Sequence, residues 1–329
     1  MPAVGHPRFS PPSYLRTLKR QRLLDKLIEH ENRRVIFIQG QAAQGKSTLA
    51  SSFVQSAEMP TVWINLTPGD ENPVNLYYAI GTGLNHLLDQ KDPDVLLNYP
   101  ARQMGPRDPQ ALYQDWVTTL FSQVRHPLRI TFDGLDRPSR ESQSFGFLQV
   151  MLEESPAHMQ FILLSRAAPP FPIHDWNIKQ QAFVLDNQDL AFTTPEIRSY
   201  FRDICGVECT REQAKKIRNA TEGWAGGIVL LSQILDSSNG GDSKGEPFEE
   251  LPNRFKTHVF IYFANEIFSR LSEKQAWFLM HSSLFEELDP GFLDELLNMT
   301  GSEQILQGLV SRLLFVSSEY DPFKGWLYR

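Results

Sequence analysis

The chain has 329 residues, 41% hydrophobic and 22% charged, enough to bury the cores of roughly two or three domains. A net charge of -7 and a pI near 5.7 argue against a large nucleic-acid-binding surface, which shows as a basic excess. No apolar run approaches the ~18 residues of a membrane helix. The N-terminus, MPAVGHPRFSPPSYLRTLKRQR, lacks the apolar segment of a signal peptide, so the expected location is cytoplasmic. Cys205 and Cys209 stand alone in a CxxxC spacing and read as reduced structural thiols rather than half of a zinc site.

Up to residue 186 the sequence alternates short β-rich runs with stretches of helical spacing, the pattern of a parallel sheet with helices on both faces. The runs are Arg34 to Gln39, Thr61 to Leu66, Leu128 to Phe132, Gln160 to Leu164 and Ala182 to Leu185. The first and third end at Gly40 and Asp133, at the edge where open α/β sheets bind ligands. Residues 187–235 read as a small helical lid, its starts marked by the capping pairs Thr193 with Glu196 and Thr210 with Gln213 and by Pro195 in a first turn. Residues 236–250 are Gly/Ser-rich and acidic, with little to bury, and read as a flexible linker. Residues 251–329 give helices, one capped by Ser272 with Gln275, and then two β-prone runs about Asp321-Pro-Phe-Lys-Gly325; that is a winged-helix order. The aromatic residues Phe255, Phe260, Tyr262, Phe263 and Phe268 suit core packing of a helix, and His258 and His281 lack metal-ligand companions.

The chemistry concentrates in Gly40-Gln-Ala-Ala43-Gln44-Gly45-Lys46-Ser47-Thr48, which fits GxxxxGK[ST] between a strand and a helix. Loop and helix N-terminal amides from Gly40 to Thr48 face the phosphates, Lys46 adds a point charge and Ser47 binds Mg²⁺. Glycines at 40 and 45 permit the backbone to turn close to the anion. Asp133, ending another strand, is the second expected metal-site residue; Asp136, a little further on, is placed to orient or deprotonate a water, or else caps a turn. Arg166, at the end of Phe161-Ile-Leu-Leu-Ser165, is placed to read a γ-phosphate, although an arginine there is also often a solvated loop residue.

Together these residues resemble the STAND class of P-loop NTPases, signalling ATPases that include the NB-ARC and NACHT proteins and the MalT-type regulators. Trp63-Ile-Asn-Leu-Thr-Pro-Gly-Asp70-Glu-Asn72-Pro73 looks like that class's second-strand segment. Leu190-Ala-Phe-Thr-Thr-Pro-Glu196 is similar to the MalT-type "LAFT..E" helix start, and Thr221-Glu-Gly-Trp-Ala-Gly-Gly-Ile-Val229 to its "TEGWPAGL" segment. The resemblance covers nearly the whole chain. It implies an ATP/ADP site with Mg²⁺, a sensor role for Arg166, and a nucleotide core, lid and winged helix that switch between a closed ADP form and an oligomerising ATP form. Residues near Leu15 to Leu23 border the base in relatives.

Departures from the pattern are specific. Asp133-Gly-Leu-Asp136 follows the NACHT form, with a small residue after the metal-binding aspartate, and Arg137 stands where NACHT proteins commonly carry an acid. Ala225 replaces the proline of "GWP", a nucleotide contact in relatives. MalT-type sequences continue past Arg329 into a sensor, so the expectation is a fragment whose partners are its own sensor domain, an unknown inducer and further copies of itself.

The expected function is an ATP/ADP switch with slow, Mg-dependent hydrolysis. The alternatives are a fast P-loop ATPase or kinase, which needs a second-substrate pocket or a water-activating glutamate, and a DNA-binding winged helix. The last is disfavoured because residues 251–329 carry seven Lys/Arg against ten Asp/Glu.

Overall fold

The computed structural model describes residues 6–13, 16–57, 59–88, 108–122, 124–238, 271–285, 287–311, 316, 318–321 and 325–328. Contacts divide the chain into two compact units, Met1–Gly40 with Gly45–Leu190, and Gln41–Gln44 with Ala191–Arg329.

In the first unit, five parallel strands form one sheet: β1 (Val35–Gln39), β2 (Thr61–Asn65), β3 (Leu128–Asp133), β4 (Met159–Ser165) and β5 (Ala182–Leu185). Their order is β2-β3-β4-β1-β5. Each expected β-rich run is a strand, because β-branched and aromatic residues pack well when both faces are covered. The alternation of the backbone sorts the side chains. Val35, Phe37, Val62, Ile64, Phe161 and Leu163 join one core, while Ile36, Ile38, Trp63, Ile162 and Leu164 join the other. On the second face lie α1 (Gln21–Glu29), through Leu23, Leu24 and Leu27, and α2 (Lys46–Ser56), through Leu49, Ala50 and Phe53. On the first lie α3 (Pro73–Leu88), α4 (Pro109–Phe121) and α5 (Ser144–Glu154), where Tyr77, Trp116 and Phe147 pack edge to face. A short α6 (Ile173–Ile178) precedes β5.

In the second unit, α7 (Thr194–Ser199) continues as a π-turn over Tyr200–Cys205 and stops at Gly206, whose φ is 69°. Then come α8 (Arg211–Thr221) and α9 (Ala225–Ser238). The capping boxes at Thr193 with Glu196, Thr210 with Gln213 and Ser272 with Gln275 are all formed. Asp236 to Ser238 are the last residues of α9 rather than the start of a linker; a helix anchored by buried Ile228 and Leu231 propagates through its final turn at one backbone bond per residue. The rest of the expected linker, 239–250, lies outside the described residues, as do Leu15, Phe255, His258, Phe260, Tyr262, Phe263 and Phe268.

Toward the C-terminus, α10 (Glu273–Ser282), α11 (Pro290–Leu296) and α12 (Ser302–Ser311) precede an antiparallel pair, β6 (Ser318–Asp321) and β7 (Gly325–Tyr328). Phe278, Leu293, Leu306, Leu309 and Tyr328 make a core of their own, and Leu288 N–H donates to Tyr328 O at 2.8 Å. His281 stacks on Trp277. Among the described residues, no helix is long and apolar enough to cross a membrane, and no group of three metal-ligating side chains occurs. Cys205 and Cys209 are free thiols.

Candidate functional site

The C-terminal edge of the sheet is fixed by backbone bonds between strand ends. Gly40 N–H donates to Ser165 O at 3.1 Å, Gly134 and Leu135 N–H both donate to Leu164 O at 3.1 and 2.9 Å, and Leu66 N–H donates to Asp133 O at 2.8 Å. The last residues of β4 therefore hold both the start of the phosphate loop and the loop after β3. That hub was not legible in the sequence, because nothing in a chain of parallel strands states which strand lies between which.

The loop from Gly40 to Gly45 turns on two left-handed residues. Gly45, with φ 85°, has open space where a side chain would stand, so its conformation rather than crowding requires glycine. Ala43, with φ 55°, holds the left-handed region without that licence, at a cost of about 1–2 kcal/mol. Such strain concentrates at ligand sites. Gln44 and Lys46 are buried, Ser47 and Thr48 are in the first turn of α2, and Lys46 Nζ donates to Gly40 O at 2.6 Å. Burial drives the Lys46 pKa down to about 8; nearby Arg166 adds to that, and Asp136 and Asp133 oppose it. A buried ammonium among loop amides is the environment an anionic phosphate relieves.

Asp133, at the end of β3, is nearly buried, and burial raises its carboxyl pKa against opposing effects from a hydrogen bond with Ser47 and the charges of Arg137 and Lys46. The Ser47 hydroxyl and the Asp133 carboxylate thus lie within hydrogen-bonding distance of each other. Two hard oxygen donors side by side fit a Mg²⁺ ion that takes its remaining ligands from phosphate and water.

Asp136 and Arg166 meet. Arg166 N–H donates to Asp136 Oδ1 at 2.9 Å, and Arg166 Nε stands 3.8 Å from Asp136 Oδ2. Gly134 and Arg137, two departures in the sequence, prove to be one feature. Gly134 has φ 87°, the Arg137 Nε lies 2.8 Å from where its Cβ would be, and Arg137 Nη1 reaches across to Leu66 O at 2.6 Å. The small residue after Asp133 lets this arginine fold back over the loop and tie it to the end of β2.

Within the second unit, the two MalT-type segments are a single piece of structure. Phe192 N–H donates to Gly223 O at 2.8 Å, and Gly223, with φ 77°, lies so close that a Cβ would meet Phe192 O at 2.7 Å. Trp224 Nε1 donates to Ala42 O at 2.8 Å, a contact across 182 residues with no local sequence signal, and Gly226 packs where a Cβ would come within 2.8 Å of the Ala43 Cβ. Ala225, the residue in place of proline, is buried at the first position of α9. Leu23 is wholly buried in the core against the sheet; α1 is held by Arg20 and Arg22, which donate to Leu190 O and Asp189 O at 2.7 and 2.9 Å.

Comparison with known proteins finds matches along most of the chain. The MalT winged helix domain model matches residues 264–328, and the Nephrocystin 3, N-terminal model matches residues 16–166. The HTH-type transcriptional regulator MalT of Serratia proteamaculans is 23% identical over 310 residues, covering 91% of this chain and 32% of that protein. The Yersinia enterocolitica MalT is 24% identical over 310 residues, with 91% and 32% covered. The chain spans about one third of the length of these curated relatives. Among solved structures, a signal transduction ATPase with numerous domains and a tetratricopeptide repeat sensor, from Pyrococcus horikoshii, matches at TM-score 0.51 and 16% identity, over 96% of this chain and 42% of that one. A Walker-type ATPase of Pyrococcus abyssi matches at TM-score 0.56 and 15% identity, over 95% and 93%. These two share the fold. The chain is thus similar to the MalT regulators over about nine-tenths of its length, with a parallel sheet of the Walker-type ATPase fold followed by a match to the MalT winged helix domain.

Proposed function

We propose that this chain is the nucleotide-controlled switch of a signalling regulator, binding ATP or ADP with Mg²⁺ and hydrolysing ATP slowly. The observation that supports it best is the convergence of Lys46, Asp133, Asp136 and Arg166 at the ends of adjoining strands, where their charges act on one another. Backbone amides of Gly40 to Thr48 cradle the phosphates, and Lys46 gives up Gly40 O to pair with them. Ser47 and Asp133 would hold the magnesium ion, which would supply positive charge against the phosphate oxygens. Arg166, following the strand between those of the lysine and the aspartate, reads the γ-phosphate, the group that hydrolysis removes. Slow turnover is supported by Gly134, which supplies no carboxylate beside Asp133.

By the same reading, residues 1–186, 187–235 and 251–329 act as nucleotide core, lid and winged helix. Bound nucleotide sets their packing, the ATP form assembles with further copies of the chain, and a sensor domain and inducer act from outside this sequence. The curated relatives are named transcriptional regulators, but the acidic balance of residues 251–329 points that segment toward protein rather than DNA. The test is to release and identify the nucleotide carried by purified protein, then measure steady-state ATP turnover with Mg²⁺. Retained adenine nucleotide with turnover of about a few per minute or less supports a switch, against the about 10 per second typical of enzymes. Turnover at that typical rate would refute it.

A further inference from the structure

We infer that Asp136 is a positioning residue for Arg166, setting how that side chain leaves the sheet, and is not the base that activates water. The inference rests on the reading that Arg166 detects the γ-phosphate.

The argument begins with the backbone at the end of β4. Arg166 is held from both sides. On one, Ser165 Oγ donates to Ala167 O at 2.6 Å and accepts from Ala167 N–H at 3.1 Å, closing the turn around Arg166. On the other, Asp136 Oδ1 accepts the Arg166 N–H at 2.9 Å. Asp136 is itself fixed by the loop it sits in. The Gly134 and Leu135 amides are bonded to Leu164 O, two residues before Arg166, and Arg137 ties the same loop to Leu66 O. A carboxylate so mounted is a rigid part of the strand-end framework.

Both of its oxygens face Arg166. A general base must offer a lone pair to water at about 2.6–3.2 Å. Here Oδ1 takes a backbone N–H, and Oδ2 faces the Arg166 Nε at 3.8 Å. With Nε turned toward Asp136, the terminal nitrogens of the guanidinium are the ones left to meet an anion, in the two-pronged geometry that arginine uses for phosphate. Both side chains are partly exposed, 28% for Arg166 and 20% for Asp136, so the ion pair is weak and the arginine can turn to a phosphate while its backbone stays fixed. The backbone bond, not the ion pair, carries the positioning.

That division of labour gives opposite expectations for two substitutions. Asp136→Asn keeps an oxygen for the Arg166 N–H and removes the charge. Asp136→Ala removes both. The experiment measures ATP and ADP affinities of the 329-residue chain with Mg²⁺, and single-turnover hydrolysis, for wild type, the two variants, Arg166→Ala and the double variant Asp136→Ala/Arg166→Ala.

The preference for ATP over ADP is expected to stay within about twofold in Asp136→Asn and to fall about tenfold in Asp136→Ala, the scale of one lost charge-assisted hydrogen bond. The double variant is expected to match Arg166→Ala, since a positioning residue has nothing left to position. Asp136→Asn that abolishes hydrolysis while both Asp136 variants keep the wild-type preference would overturn the inference alone and make Asp136 the base. An Arg166→Ala chain with unchanged preference would overturn the sensor reading first, and this inference with it.

Discussion

Lys46 makes the candidate site sensitive to pH in a way that can be worked out from its surroundings. Its ammonium is removed from water by the phosphate loop and α2, and its pKa falls to about 8, chiefly through burial, with Arg166 adding to the shift and the two aspartates opposing it. The unfolded chain returns the group to its ordinary value of 10.5. Between those values the folded state binds fewer protons than the unfolded one, so the free protein gains stability as pH rises from about 8 toward 10.5. A bound polyphosphate reverses the balance, because its negative charge restores the protonated lysine. Binding above pH 8 is therefore coupled to the uptake of one proton by Lys46.

At pH 9 about nine-tenths of the lysine is neutral in the free protein, and the nucleotide Kd is expected to be about tenfold weaker than at pH 7. Phosphate itself contributes nothing in this window, since its second ionisation, near pH 6, is complete. Calorimetry in buffers of different ionisation enthalpy counts the protons directly: close to none taken up at pH 7 and close to one at pH 9. Lys46→Arg supplies the control, because a guanidinium stays charged throughout and the pH dependence should vanish even if affinity at pH 7 is lower. A wild-type Kd that is flat from pH 7 to pH 9 with no proton uptake would refute the placement of a desolvated Lys46 against the phosphates.

Lys46→Ala is expected to abolish retention of nucleotide through purification while leaving the circular dichroism spectrum unchanged, since the bond it removes to Gly40 O lies within the phosphate loop and not in the sheet or a helix. Gly223→Ala should destabilise the chain by more than about 1 kcal/mol in denaturant unfolding, because it combines a left-handed φ with backbone of Phe192 at 2.7 Å; an unchanged midpoint would refute the close approach. Trp224→Phe removes the donor to Ala42 O and should cost about 1 kcal/mol in the same assay, with no loss if that bond is not formed in solution.

How far the sequence could be read depended on whether the relevant forces were local. Strands such as Val35–Gln39 and Met159–Ser165 are mostly apolar, four of five and five of seven residues, because both faces are covered, and that shows in composition. The capping boxes at Thr193, Thr210 and Ser272 and the phosphate loop are spacings of a few residues with a fixed geometry. What could not be read joins distant segments through single atoms: the Arg166 amide to Asp136 across 30 residues, Arg137 to Leu66 across 71, and Trp224 to Ala42 across 182. The fold-back of Arg137 over Gly134 left one trace, a glycine and an arginine both out of pattern in Asp133-Gly-Leu-Asp-Arg137. Each looked like an isolated departure because the shared target, a carbonyl after β2, is not a property of either residue.

The strand order explains why the arginine follows β4 and not another strand. Neighbouring strands lie about 4.8 Å apart. Lysine and aspartate come from the ends of β1 and β3, which do not pair with each other but each pair with β4. A residue just after β4 is one strand spacing from both. A residue after β5 is next to β1 but removed from β3, and one after β2 is next to β3 but removed from β1. A group that must register a phosphoryl held between the lysine and the metal-site aspartate is best carried by the strand common to both. That strand is also buried along its whole length, and its terminal carbonyls, on Leu164 and Ser165, already anchor the loops on either side. On the proposed reading, a change at the phosphate would reach Arg166 without loosening this framework, leaving its side chain as the part free to respond.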